Sequence, residues 1–234
     1  MFGGPESANA KAAFPLFPGR ERQRRRFFYL PLRKPPWMPS ITDYHDLVYH
    51  PGDVLVWGGR TWASRAIQFG TCSWKQLFRG QWFSHIGICG HWQGALKHWE
   101  STTLCPLVCE AQNRLVNGVQ CHDPYREIAE YDGCVWLLKM REPLRPLQVK
   151  LLEALLEHRL GTNYDLPGAL IAGTSWVKRL MDPDASTLFC DEFVAMTLID
   201  MHIVSGFNPS TITPAWLAWK LVNDFKYLPA VRIK

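Results

Sequence analysis

The sequence predicts an α+β fold, an antiparallel sheet packed against a helical half, on two observations. Between Pro51 and Met140 the chain carries strand signals, short runs rich in valine, isoleucine and aromatic residues bounded by Gly or Pro. From Pro143 onward apolar residues recur at helical spacing instead. Strands first and helices later, without alternation, favour α+β over the βαβ units of a parallel sheet. Hydrophobic residues make up 47% and charged residues 20% of the 234, which allows a sizeable core and excludes a wholly disordered or fibrous protein.

Residues 1–40 read as a separate arm. Pro15, Pro18, Pro31, Pro35, Pro36 and Pro39 oppose regular helix or central strand there. The arm carries eight Lys and Arg against Glu6 and Glu21, a net of +6, and the whole chain is +5, so the body from residue 41 to 234 is near neutral. No sequence-specific nucleic-acid partner is expected of such a body. The five arginines between Arg20 and Arg26 suit docking on an anionic surface or a protein assembly, with a merely solvated leader as the plainer alternative.

Within the body, Asp53-Val-Leu-Val-Trp57 before Gly58-Gly59 is the first strand, and Trp62 to Phe69 has helical spacing. Ser84 to Cys89, Leu96 to Glu100, Gly118 to Cys121 and Val135 to Met140 follow as strands. Leu147, Leu151, Leu152, Leu155 and Leu156 form the apolar stripe of a helix stopped by Gly161. Asp165 with Pro167 opens a second helix through Leu180, and Ser186 or Thr187 caps a third that carries Phe193, Val194, Leu198 and Ile203. Thr213-Pro214 opens a fourth. No run reaches the roughly 18 apolar residues of a membrane span. No signal-peptide pattern opens the chain, so a cytoplasmic or virion-associated protein with reduced cysteines is expected.

Three residues carry candidate chemistry. Cys190 opens an apolar helix, where unsatisfied N–H groups and the dipole favour a nucleophilic thiolate and can stabilise an oxyanion. The alternative is a small buried hydrophobe. His85 lies on a strand with Ile86 and Ile88 facing the other way and Gly87 leaving room beside it, so it can take a proton from a thiol. An orienting carboxylate would fix its tautomer. Glu100 is preferred because its strand can pair with that of His85, and Glu110 is the competitor.

Taken in order, Asp53-Val-Leu-Val-Trp-Gly-Gly59, Phe83-Ser-His-Ile-Gly-Ile88, Glu100-Ser-Thr, Gly161-Thr-Asn-Tyr-Asp165 and Phe189-Cys-Asp-Glu-Phe-Val-Ala195 resemble the YiiX-like branch of the NlpC-type papain-like superfamily. In that branch the order is circularly permuted, the histidine strand preceding the cysteine helix. Asp191 stands where the family pattern has serine, and the segment between Glu100 and Gly118 is longer than usual. The resemblance implies a permuted papain-like domain over residues 41–234. It further implies a cysteine hydrolase with Cys190 as nucleophile, His85 as base and Glu100 or Glu110 as orienter. Tyr164 is expected near the site, with Ser84, Trp57 and Asp191 as further pocket residues. The implied substrate is a peptide or acyl compound, foremost a stem-peptide amide of peptidoglycan, and a wall hydrolase without a signal needs a holin or a phage particle to reach it. An acyltransferase or lipid esterase of the same fold, resembling lecithin retinol acyltransferase, is the first alternative. A non-catalytic binding protein working through its arm is the second.

No cofactor is expected. Cys105, Cys109, Cys121 and His122 have a loose metal-site look, but zinc sites favour tighter pairs, and reduced cysteines on a loop are the preferred account. His91 and His98 flank an expected turn and read as solvated. Trp57, Trp62, Trp74, Trp82, Trp92 and Trp99 cluster in the strand half, as a platform for sugar or acyl groups or as ordinary packing. No phosphate-binding glycine loop is present.

Overall fold

A computed structural model describes residues 46–60, 64, 65, 68, 83–103, 105–164, 188–224 and 226–234. The basic arm, the expected helix from Trp62 to Phe69, the one from Asp165 to Leu180, and Trp62, Trp74, Trp82, Ser186 and Thr187 lie outside the described residues, apart from Ser64, Arg65 and Gln68. The described strands are β1 (Val54–Gly59), β2 (His85–Trp92), β3 (Ala95–Thr102), β4 (Gly118–His122), β5 (Gly133–Leu138) and β6 (Val231–Arg232). They form one antiparallel sheet in the order β4-β3-β2-β1-β5-β6. Helices α1 (Pro124–Glu130), α2 (Pro146–Arg159), α3 (Cys190–Asp200) and α4 (Pro214–Asn223) complete the described elements, with a short 3-10 turn at Pro209–Thr211. The α+β class and the five strands expected from sequence are present.

Both faces of the sheet are buried, which is why β1 reads as an unbroken apolar run. On one face Val54, Val56, Ile86, Ile88, Trp99, Val119 and Leu138 pack against Leu152, Leu156, Phe193, Leu198, Leu217 and Leu221 of the helices. On the other, Leu55, Trp57, Cys89, Val135 and Leu137 meet Ile128 of α1 with Tyr49 and Ile233. The apolar stripe of α2 is narrower than its leucine spacing suggests. Leu152 and Leu156 are buried, but Leu147 and Leu151 are exposed, because only one side of the helix meets the sheet. Helix α1 is marked in the sequence by its cap and not by apolar spacing: Asp123 caps it, accepting from Arg126 N at 2.9 Å, and Pro124 fills its first turn.

Helix α3 is held from three sides. Arg159 on α2 donates to Thr197 Oγ1 at 2.9 Å and to Asp200 Oδ2 at 2.5 Å. Ser101 Oγ on β3 donates to Leu188 O at 2.6 Å, just before the helix begins. Ser210 hydrogen-bonds Glu192 in its first turn. At β4, Gly118 adopts φ +138° and lets the Thr162 backbone come close enough for Val119 N to donate to Thr162 O at 2.9 Å. The strand residue beside His85 is also tightly fitted. A Cβ on Gly87 would run into the His98 ring and lie 2.6 Å from Trp99 O. Gly87 thus makes room for His98, not for open space beside His85. We expect Gly87→Ala to cost about 1–3 kcal/mol of stability in a urea titration, the usual penalty for overpacking a filled core; an unchanged midpoint would contradict this packing.

Candidate active site

The site begins with a hairpin. Gln93 and Gly94 turn β2 into β3 with φ of 51° and 80°, the two positive values that a tight two-residue hairpin turn demands. That turn fixes the register, Ile88 opposite Trp99 and Trp92 opposite Ala95. Continued along the strands, the register sets Glu100 across from Gly87 and diagonal to His85, on the same face. His85 Nε2 and Glu100 Oε2 are 2.6 Å apart, a short charge-assisted contact. Glu100 is buried, and His85, first residue of its strand, keeps some exposure at the rim of the sheet.

Cys190 comes from the other layer. It is the first residue of α3, and the N-cap residue, Phe189, offers no side-chain oxygen to the first turn. Helix α3 packs on β2 and β3, which brings the thiol against His85, and the two side chains hydrogen-bond. Since Glu100 occupies Nε2, the nitrogen left for Cys190 is Nδ1. Burial pulls the His85 pKa down, but the facing Cys190 and Glu100 charges overcome it and leave the imidazole well above its ordinary 6.5. Burial likewise works to raise Glu100, yet the charge of His85 and its hydrogen bond hold the carboxyl at about 2, against 4.5. The arrangement therefore suits an imidazolium paired with the Glu100 carboxylate and facing the Cys190 sulfur, and it brings together the three residues singled out from sequence.

Other expected site residues fall elsewhere. Glu110 is not the orienter: its carboxylate pairs with Lys97 at 2.5 Å and accepts from Asp123 N at 2.7 Å. Lys97 stands at the turn end of β3, away from the end that carries His85. Trp57 is 1% exposed and packs on the His98 and Tyr131 rings, so it is core and not a pocket wall. Ser84 is buried as well, its hydroxyl accepting from Gly59 N and donating to Trp57 O. Asp191, in the first turn of α3, is 3% exposed and offers no surface to a substrate. Tyr164 is half-exposed and stacks edge-on against Phe189, the neighbour of Cys190, at 6.0 Å between centroids. Trp99 is core and Trp92 packs edge-on against it, so neither of these supports an aromatic platform.

Of the two histidines expected to be solvated, His91 is partly exposed but paired and His98 lies in the core. His91 pairs with Glu153 at 2.8 Å, and His98 is fully buried with Nδ1 2.7 Å from Glu127 Oε2. Burial holds His98 neutral down to about 4, with the charge of Glu100 as a smaller opposing influence, and burial pushes the Glu127 carboxyl well above its ordinary range. The signal was available: residues 98 and 100 on β3, with 120 and 122 on β4, alternate onto one face. All six described cysteines are free thiols.

No protein-family model and no curated protein matches the chain. Among solved structures it is similar to the crystal structure of the metalloprotein yiiX from Escherichia coli O157:H7, with a TM-score of 0.46 and 18% sequence identity, over 78% of this chain and 87% of that one.

The two shifts make stability depend on pH in a calculable way. Glu100 stabilises the fold fully above pH 4.5 and loses that contribution as pH falls toward about 2. His85, raised above 6.5, stabilises it fully below 6.5 and loses that as pH rises through its higher folded value. The pair is therefore complete between about pH 4.5 and 6.5. Denaturant titrations across pH should show wild type and Glu100→Gln diverging most in that window and converging toward acid. A pH-independent gap would contradict the assignment.

Proposed function

We propose that the chain is a cysteine hydrolase that cleaves an amide or ester bond through an acyl-enzyme, with Cys190 as nucleophile, His85 as general base and acid, and Glu100 as orienter. The observation that carries this is the single chain of contacts from buried Glu100 through His85 Nε2 to a thiol at the start of a helix. Residue types, order of contacts and burial all match what thiol attack requires.

In the proposed reaction the Cys190 sulfur attacks the carbonyl carbon and its proton resides on His85. The carbonyl oxygen gains the negative charge of the tetrahedral intermediate. The Cys190 backbone N–H, at the first helical position, is the proposed donor to that oxyanion, and one such donor contributes about 3 kcal/mol in hydrolases. As the intermediate collapses, His85 passes its proton to the leaving amine or alcohol. Water then attacks the thioester, His85 removes its proton, and the acid product departs with the thiol restored. Glu100 stays ionised throughout, holding Nε2–H and balancing the imidazolium. The substrate class proposed is an acyl-linked peptide, first of all a stem-peptide amide of peptidoglycan, with Tyr164 and Phe189 beside the thiol as the first pocket residues to test. The permuted papain-like architecture and an arm that docks the enzyme on its assembly belong to the same proposal.

Alkylation by iodoacetamide, followed cysteine by cysteine with mass spectrometry, tests the nucleophile. Cys190 should react fastest near pH 6 and lose that lead in His85→Ala. Cys109, whose thiol the Cys121 hydrogen bond holds at about 5, is fully buried and should stay slow. Incubation with peptidoglycan fragments and with acyl esters then separates the substrates. Turnover of either should fall by roughly 10²–10⁴-fold in His85→Ala. Equal reactivity of Cys190 and Cys105 at all pH values would remove the enzyme from consideration.

A further inference from the structure

Beneath the His85–Glu100 pair lies a set of polar groups that the hydrolase chemistry leaves unused. His122 on β4 is 1% exposed, and neither ring nitrogen has a hydrogen-bond partner. Glu100 uses Oε2 for His85, while its Oε1 is buried without a well-formed hydrogen bond and the Cys105 thiol lies against the carboxylate. The gap between His122 Nε2 and Glu100 Oε1 is 3.8 Å, too long for a hydrogen bond. Cys105, on the loop after β3, completes a group in which one ligand atom from each of Glu100, Cys105 and His122 lies within 4.8 Å of the other two. A buried imidazole with both nitrogens unmet opposes folding, so a ligand at this position would be stabilising.

We propose that Glu100, Cys105 and His122 form a binding site for a zinc-class divalent cation, immediately behind the catalytic histidine. Two donors about 2.1 Å from a shared ion at the tetrahedral angle lie roughly 3.4 Å apart, so the 3.8 Å pair needs to close only slightly. One thiolate, one imidazole and one carboxylate are the mixed donors that a borderline-soft ion such as zinc accepts, and that magnesium or calcium does not favour. Binding replaces the Cys105 S–H bond by a sulfur–metal bond and releases that proton to solvent. His122 Nε2 donates its lone pair as the neutral ring. Glu100 then spans two partners, Oε1 to the ion and Oε2 to His85. Three protein ligands leave the fourth position to water. Cys105 is partly exposed, which gives the ion a way in. The sequence placed Cys105 and His122 in one loose constellation with Cys109 and Cys121; those two cysteines hydrogen-bond each other instead. The second group of possible ligands, His98, Glu100 and Glu127, already contains the His98–Glu127 bond and leaves less unmet.

Cobalt titrated into the chelator-treated full-length chain is the test, because a cobalt–thiolate bond gives an intense near-ultraviolet charge-transfer band. The expected result is one ion per chain, with the band kept in Cys190→Ala and lost in Cys105→Ser, and binding roughly tenfold or more weaker in His122→Gln. Zinc should raise the melting temperature of wild type and leave that of Cys105→Ser unmoved, which separates ligand loss from misfolding. Since Cys190→Ala is scored for binding alone, the outcome is independent of whether the chain is a hydrolase. No saturable binding, a band that vanishes in Cys190→Ala, or one that survives in Cys105→Ser would each overturn the site.

Discussion

Glu100 can serve His85 only because a two-residue turn fixes how β2 and β3 pair. Shifting that hairpin by one residue would send Glu100 to the opposite face, among the leucines of the helical layer. In the observed register the carboxylate takes Nε2, and this single contact settles three things at once. It chooses the tautomer, it supplies the negative charge that balances an imidazolium, and it leaves Nδ1 for the thiol. Cys190 arrives by an independent route, on a helix docked through Arg159 and Ser101. The site is thus a meeting of two layers, each positioned by its own packing.

That meeting point has an unusual underside. Most of the second sheet face is apolar, yet His98, Glu100, Gln120 and His122 occupy it side by side on β3 and β4, with Glu127 reaching in from α1. Burying so many polar groups opposes folding unless each is paired or neutral. His98 meets this because burial holds it neutral and its Nδ1 hydrogen-bonds Glu127, and Glu100 meets it through His85. His122, with neither ring nitrogen hydrogen-bonded, is the least satisfied of them, beside single unpartnered atoms on His98, Glu100 and Gln120.

How far the sequence foretold this differs from residue to residue. The trio that the structure brings together is legible because each member carries a local cue: a thiol at a helix start, a histidine leading an alternating strand, and an acid on the next pairing strand. Glu100 could be preferred over Glu110 on pairing alone, and Lys97 explains where Glu110 goes. Ser84 shows that adjacency to His85 in the chain says nothing about depth, and Trp57, paired with His85 across the sheet, turns its ring into the core instead of a pocket. Leu147 and Leu151 match a helical stripe whose outer edge meets no partner, a matter of how α2 lies on the sheet. The Glu127 contact with His98 joins residues far apart in the chain, and no spacing rule reaches that distance.

The most direct measurement of the central claim is the His85 titration, followed by NMR of the labelled imidazole in wild type and in Cys190→Ala. If the ring lies between thiolate and carboxylate, it titrates well above its ordinary 6.5 in wild type and falls when the sulfur is removed. Its Nε2 also stays protonated on the Glu100 side after the ring becomes neutral. An identical titration in both proteins would contradict the pairing of Cys190 with His85, and with it the proposed chemistry.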